Sequence, residues 1–334
     1  MIDPDLIRRL IDASRREHAC TLEISYNEPM AAHTTFKAGG HADCYVKPLG
    51  DGFPGFAAGL FRAAGDAGVP VFILGGGANI VVSDRGIRGI VLDTSGWTGE
   101  TGEAEAAAVG AGDGIVMSFR AGLSIDTAAE LAARAGLSGL EFLAGMPGSV
   151  GGAVWMNARC YEREIADVLI ETGIVDFSEA GGEGGVSRIL RVPADRAAFG
   201  YKRSPFQNRS CLILSAAFTL QPGSEREIRD EMETRRRDRE AKGHYRYPSA
   251  GSVFKNNRAF GKPTGKIIDE LGLRGLKIGG AQVAPFHANI IINTGGATAA
   301  DIRALTDEVA GRVMAALGLV LEPEILFVGD WEVS

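Results

Sequence analysis

Cysteine is scarce in this 334-residue sequence, and the few present are not paired by spacing. Cys20, Cys44, Cys160 and Cys211 stand at no metal-ligand interval, and the five histidines form no HExxH-like pattern. Reduced, mostly buried thiols and no bound metal are expected. Long apolar runs are missing too. None approaches the ~18 residues of a membrane span, so no membrane insertion is expected. Residues 1–16 alternate charged and apolar side chains and lack the apolar centre of a secretory signal, which makes a cytoplasmic location the default. A cationic surplus is also absent. The net charge of −7 is the reverse of what a general nucleic-acid binder carries. There is no internal repeat of fixed period. No G-x-G-x-x-G opens a helix, which argues against a Rossmann dinucleotide site.

Glycine, by contrast, is abundant. Many of the 46 glycines lie in pairs or triplets, as tight turns and close backbone approach require. At roughly 100–200 residues per domain the length suggests two or three domains. With 45% hydrophobic and 23% charged residues, an ordinary core needs no covalent staple.

Periodicity predicts helices over 5–17, 54–67 and 124–135, with Leu6, Leu10 and Ile11 on one face of the first. Charges of alternating sign over 224–242 predict a solvated helix, with Arg235, Arg236 and Arg237 paired to interleaved acids. The clearest helix is 298–317. Thr298 and Asp301 fit a capping box, and Ile302, Leu305, Val309, Val313 and Leu317 share a face. A final strand is predicted from Leu321 to Val328. Along it Glu322 and Glu324 would point the same way unless Pro323 disturbs the alternation.

Two glycine segments carry the first functional signal. The apolar run Val71 to Leu74 stops at Gly75-Gly76-Gly77-Ala78-Asn79. Backbone N–H groups in such a turn can cradle a pyrophosphate, although an ordinary tight turn would look the same. The second segment is Gly145-Met146-Pro147-Gly148-Ser149-Val150-Gly151-Gly152, leading to Asn157. Two such turns, each tied to a strand, could hold a long dinucleotide from two sides.

In order along residues 33 to 328, these segments and others resemble the UDP-N-acetylenolpyruvoylglucosamine reductases. The glycine turns look like that family's two FAD segments. Tyr201-Lys202-Arg203-Ser204 is similar to its Tyr-Arg-x-Ser. Pro248-Ser249-Ala250-Gly251-Ser252-Val253-Phe254-Lys255-Asn256 is similar to its proton-donor loop. Lys266-Ile267-Ile268-Asp269, Gly280-Ala281-Gln282-Val283 and His287-Ala288-Asn289 look like its substrate domain, and Leu321-Glu322-Pro323-Glu324 like its C-terminal catalytic segment. Nothing is inserted between Phe206 and the helix at 224, as in the short-loop subtype.

The resemblance implies an α+β fold: a two-subdomain, non-Rossmann FAD-binding fold like that of vanillyl-alcohol oxidase, plus a C-terminal α+β substrate domain. The implied parts are 1–94 with 321–334, then 95–221, then 222–320. It implies non-covalent FAD, NADPH as hydride donor, a UDP-sugar substrate and a monomer. For the cofactor it implies Thr35, Gly75, Gly76, Gly77, Ala78, Asn79, Gly145, Pro147, Gly148, Ser149, Gly151, Gly152 and Asn157. For the substrate it implies Tyr201, Lys255, Asn256, Lys266, Gln282 and Asn289.

The implied reaction adds a hydride to an enolpyruvyl double bond. It leaves negative charge on the neighbouring carbon, delocalised into the carboxylate. Such a site needs a cationic or hydrogen-bonding partner and an acid. By resemblance Ser252 is that acid, Glu324 the catalytic carboxylate and Lys202 the cation. Lys202 departs from the family's Arg and cannot make a bidentate fork. In an extended segment Arg203 would face the opposite side. His33 replaces a usual Asn, Ala78 a usual Ser, and Arg159-Cys160-Tyr161-Glu162 a Gly-Ala-Tyr-Gly turn, losing two glycines. The alternatives are another FAD oxidoreductase of this fold, acting on sugars or alcohols, and a flavin-binding protein without catalysis.

Overall fold

Asp3 caps the first helix, Pro4–Glu17, by accepting the Asp5 amide, and Pro4 stands where a missing N–H does no harm. Ile7 and Ile11, one turn apart, are buried against Phe53, Phe56 and Leu60 of the next helix, Phe53–Asp66. Each such side chain contributes about 1.5–3 kcal/mol on burial. The sheet beside them has the strand order Thr21–Pro29, His41–Leu49, Ile87–Asp93, Val71–Leu74. The last two strands run parallel, Val71 opposite Ile90 and Leu74 opposite Asp93.

The computed structural model describes residues 2–98, 114–179 and 186–331. They form two compact units, one drawn from 2–26, 43–76, 89–98, 114–179 and 186–236 and one from 27–42, 77–88 and 237–331.

In the first unit a second sheet orders Val186–Pro193, Leu169–Glu179, Cys211–Pro222 and Ile115–Arg120, all antiparallel. Helices Ile125–Arg134 and Val150–Trp155 share a core with it. Ala128, Ala132 and Val154 pack with Phe119 and Phe218. The charged helix is Glu225–Ala241; some of its arginines pair with acids on the same helix, as the interleaving predicts, whereas Arg236 pairs with acids of the helix Ile125–Arg134 instead. Arg229 meets Glu225 and Glu130, Arg235 meets Glu231, and Arg236 meets Asp126 and Glu130.

The second unit centres on helix Ala299–Leu317, with the Thr298/Asp301 capping box and a left-handed Gly318 at its end. Ile302, Leu305, Val309 and Val313 are buried with Ile267, Ile268, Val283 and Ile291. Leu317, expected on that face, is 50% exposed at the last turn. Strands Lys277–Ile278, Ala281–Val283 and Ile291–Asn293 make a small antiparallel sheet. Ile80–Val82 pairs in parallel with Leu326–Val328.

The expected final strand is therefore shortened to Leu326–Val328. Pro323 brings no N–H to a ladder, and residues 322–324 bond to 253–255 instead. Glu322 and Glu324 differ sharply in exposure. Glu324 is 9% exposed, whereas the Glu322 side chain is 70% exposed. No described helix is long and apolar enough to cross a membrane.

Candidate active site

In the first unit the two glycine segments lie against each other. A Cβ on Gly76 would stand 2.5 Å from the Gly148 Cα, and one on Gly75 would stand 2.7 Å from the Ser149 hydroxyl. Only glycine permits that approach. The second segment is pinned from behind. Gly145 donates its N–H to Asp126 at 2.7 Å, and Arg236 holds the same carboxylate oxygen at 2.8 Å. Ser149 caps the helix Val150–Trp155 by accepting the Gly152 amide.

In the second unit Gly77 accepts the Thr35 amide at 3.1 Å. The Thr35 hydroxyl is buried and has no protein partner among the described residues. An orphaned buried hydroxyl beside a glycine turn is what a bound polar group would satisfy, and a flavin's diphosphate or ribityl chain has the required oxygens. Asn79, in the same turn, donates to the Glu324 carbonyl at 3.0 Å. His33, standing where the family has Asn, pairs with Glu28 at 2.8 Å.

The segment around Ser252 is held by isolated backbone bridges to two others. Ser252 bridges Ile290, and Phe254 bridges Pro323. Glu324 donates its N–H to Val253 at 2.7 Å, and Lys255 donates its N–H to Glu322 at 2.9 Å. Ser252 and Glu324 are thus fixed in register by main chain. Among the described residues the Ser252 hydroxyl has no protein hydrogen-bond partner, and the residue is half-buried. Lys255 pairs with the exposed Glu322 at 2.5 Å. Asn256 accepts the Thr264 amide at 2.9 Å, at the start of the helix that carries the exposed Lys266. Gln282 donates to the Gly275 carbonyl at 3.1 Å. Asn289 is 3% exposed and turned toward the Phe254 backbone.

In the first unit Tyr201 and Lys202 are the two central residues of a tight turn. Gly200 and Arg203 exchange N–H···O bonds of 3.0 Å across it, and Lys202 has φ +56°. The segment is not extended, so the condition for Arg203 to face the opposite side is not met. The residue is exposed at the foot of the turn. Asn157 is fully buried. Its carboxamide donates to the Gly200 carbonyl at 2.9 Å and accepts the Ala166 amide at 3.0 Å, so it locates the turn. Gln207 donates to the Lys202 carbonyl at 3.1 Å.

The substituted turn at 159–162 adopts the strained solution. Tyr161 and Glu162, joining Arg159–Cys160 to Arg163–Glu164, have φ of +50° and +62°. Arg235 stacks over the Tyr161 ring at 4.3 Å, while Arg159 bonds Glu162 at 2.8 Å. The Arg159 guanidinium also lies 5.7 Å from the Tyr201 ring centre. Sequence reading missed this contact; the one available signal was an arginine where the family has glycine.

The profile of a family described as "FAD binding domain" matches residues 57–180, and that of "UDP-N-acetylenolpyruvoylglucosamine reductase, C-terminal domain" matches residues 243–328. The UDP-N-acetylenolpyruvoylglucosamine reductase of Treponema denticola is 39% identical over 92% of this chain and 94% of its own. The chain belongs to the UDP-N-acetylenolpyruvoylglucosamine reductase family. The reductase of Agathobacter rectalis agrees, at 39% identity over 93% of this chain and 95% of its own. The crystal structure of the reductase from Thermus caldophilus superposes with a TM-score of 0.70 at 28% identity, covering 92% of this chain and all of that one. The fold is that of this reductase family: an FAD-binding part and its C-terminal domain.

Proposed function

We propose that this reductase uses FAD and NADPH to reduce the enolpyruvyl group of UDP-N-acetylglucosamine enolpyruvate, giving UDP-N-acetylmuramate for peptidoglycan precursors. It would act in the cytoplasm as a monomer. The observation that carries the reading is the main-chain frame that holds Val253, next to Ser252, against Glu324, in a member of this family. An oxidase of sugars or alcohols has no use for a serine and a glutamate held in register by main chain in this way. A non-catalytic flavin protein has no need of the frame.

When bound, FAD supplies the hydride that NADPH provides. The glycine turns at 75–79 and 145–152, with the Thr35 hydroxyl, would hold it. The Ser252 hydroxyl gives its proton to the substrate carbon that carries the developing charge. Serine is a weak acid in water, but a carbanion-like carbon is a strong base, and a placed hydroxyl needs no free diffusion to reach it. Glu324 orients the carboxylate end of the substrate, and the Lys202 ammonium offsets its charge. Lys255, Asn256, Lys266 and Gln282 would take the diphosphate and the uracil, whose recognition calls for cations and amides.

The test uses purified protein. It should be yellow, release FAD on acid precipitation, bleach with NADPH under anaerobic conditions and recolour when the enolpyruvyl sugar nucleotide is added. Bleaching without recolouring by that substrate would reject the assignment.

A further inference from the structure

Asn289 makes more contacts with the proton-donor loop than any recognition role for the residue requires. Its Oδ1 accepts the Phe254 amide at 3.0 Å, and its Nδ2 donates to the Phe254 carbonyl at 2.8 Å. Its own carbonyl accepts the Val253 amide at 2.8 Å. Its N–H donates to Nδ1 of His287 at 3.3 Å, which puts the imidazole proton on Nε2. The residue is 3% exposed, and Phe254 is 1% exposed. A carboxamide that pairs with both polar groups of one peptide residue imitates a strand neighbour, and a buried one of this kind is costly to leave half-satisfied.

On the far side of the loop, Val253 accepts from Glu324 and Lys255 donates to Glu322. The loop therefore has Asn289 on one edge and the catalytic carboxylate's backbone on the other. Ser252 adjoins Val253, the residue whose N–H and C=O are held by the two edges, and among the described residues no side-chain bond fixes its own hydroxyl.

We propose that Asn289 is a positioning residue for proton delivery, its carboxamide holding the loop 252–254 in register with 322–324 and so setting where the Ser252 hydroxyl stands. This rests on the reading of Ser252 as proton donor. It gives Asn289 a task other than contact with the sugar nucleotide.

The test is rapid mixing of the flavin-loaded variants Asn289→Leu and Asn289→Asp beside Ser252→Ala. Flavin reduction by NADPH should stay within about twofold of the parent, since it needs no proton from the loop. Reoxidation by the enolpyruvyl sugar nucleotide should slow by about 10²-fold in Asn289→Leu, the scale of an ångström-sized misplacement. Asn289→Asp should slow it to a similar degree, since it keeps the acceptor for the Phe254 amide but turns a buried carboxylate oxygen toward the Phe254 carbonyl. The affinity of the oxidised enzyme for the sugar nucleotide, read from the flavin spectrum, should stay within about threefold. The solvent deuterium isotope effect on reoxidation should rise, because proton transfer becomes the slow event.

Weakened affinity with reoxidation at saturation unchanged would make Asn289 a binding residue and overturn the proposal. So would equal slowing of both half-reactions, or loss of flavin or of soluble protein in both variants. If Ser252→Ala itself reoxidises at the parent rate, the reading of Ser252 fails. If it is slow while both Asn289 variants are fast, the role of Asn289 alone fails.

Discussion

The loop around Ser252 and the turn around Lys202 solve the same problem, the placing of one functional side chain, with different materials. Ser252 and Glu324 are set by main-chain bonds between three adjacent segments. Lys202 stands at the tip of a two-residue turn, itself left-handed, whose surroundings are held by side chains: Asn157, Gln207 and the stack of Arg159 on Tyr201. A main-chain frame restricts every residue in it, because a shift of one breaks bonds on both edges. A turn fixed from outside leaves its tip residue free to change. The difference accounts for what the sequence does at each place. The loop from Pro248 to Asn256 keeps the family pattern, whereas Lys has replaced Arg at 202 and two glycines have gone from 159–162.

The sharpest way to break that comparison is to remove the functional atom at the rigid end. Ser252→Ala leaves the frame intact and takes away the acid, so reoxidation by the enolpyruvyl substrate should fall by about 10²–10⁴-fold. Reduction by NADPH should survive. Equal slowing of both half-reactions would make Ser252 a structural residue.

The loose end should respond less, and more permissively. Lys202→Met keeps the stem and deletes the charge. Reoxidation should slow by about 10²–10³-fold, with flavin binding unchanged. Lys202→Arg should keep substantial activity, since the tip of the turn is half-buried and not part of a ladder. Arg203→Met should be mild, because the turn leaves that side chain exposed. A severe Arg203→Met beside a mild Lys202→Met would transfer the role to Arg203.

Acid should reach the rigid end through its histidines. Burial pushes the His244 imidazole down to about 4, aided by the charges of Arg239, His287 and Lys242 and opposed by Asp238. Burial also lowers His287, its neighbour at 6.0 Å, with Lys242 and Arg274 contributing. Burial favours the neutral form of both rings, and the neutral form of His287 is the one that can accept the Asn289 amide. A folded-state pKa below the ordinary 6.5 means that the unfolded chain binds the proton first. Stability is therefore full above pH 6.5 and declines as pH falls from there toward about 4. His244→Phe should flatten that decline in denaturant midpoints measured across the interval. An unchanged slope would remove His244 from the account.

Much of this was legible in the sequence. The glycine segments and the capping box at Thr298 depend on local chemistry, and local chemistry is what a sequence displays. The asparagines were less legible. Asn79, Asn157 and Asn289 look alike in a motif, yet each bonds backbone far away in sequence: Glu324, Gly200 and Phe254. Which partner a carboxamide takes is decided by the fold. The turn at Lys202 was hidden for a similar reason. A left-handed lysine has no compositional mark, and here it depends on Gly200 and Arg203 pairing across it.

The smallest effect lies in the other strained turn. Glu162 stands where the family has glycine and takes φ +62° with a Cβ attached. A left-handed L-residue costs roughly 1–2 kcal/mol. Glycine removes that cost but has more freedom to lose from the unfolded chain, so Glu162→Gly should stabilise by only about 0.5–1 kcal/mol. The ion pair to Arg159 that it deletes has its carboxylate 87% exposed and contributes little. A rise in Tm of roughly 1–3 °C is the expected reading. Glu162→Ala is the control, since it loses the same ion pair and keeps the Cβ. It should not rise. If both variants are stabilised alike, the gain comes from deleting the carboxylate among Glu164 and its neighbours, and the backbone at 162 is not strained. If only glycine gains, the turn carries a cost that the family's glycine avoids. Flavin reoxidation should then stay near the parent rate, because Arg159 still has Glu164 at 3.8 Å to hold it over Tyr201.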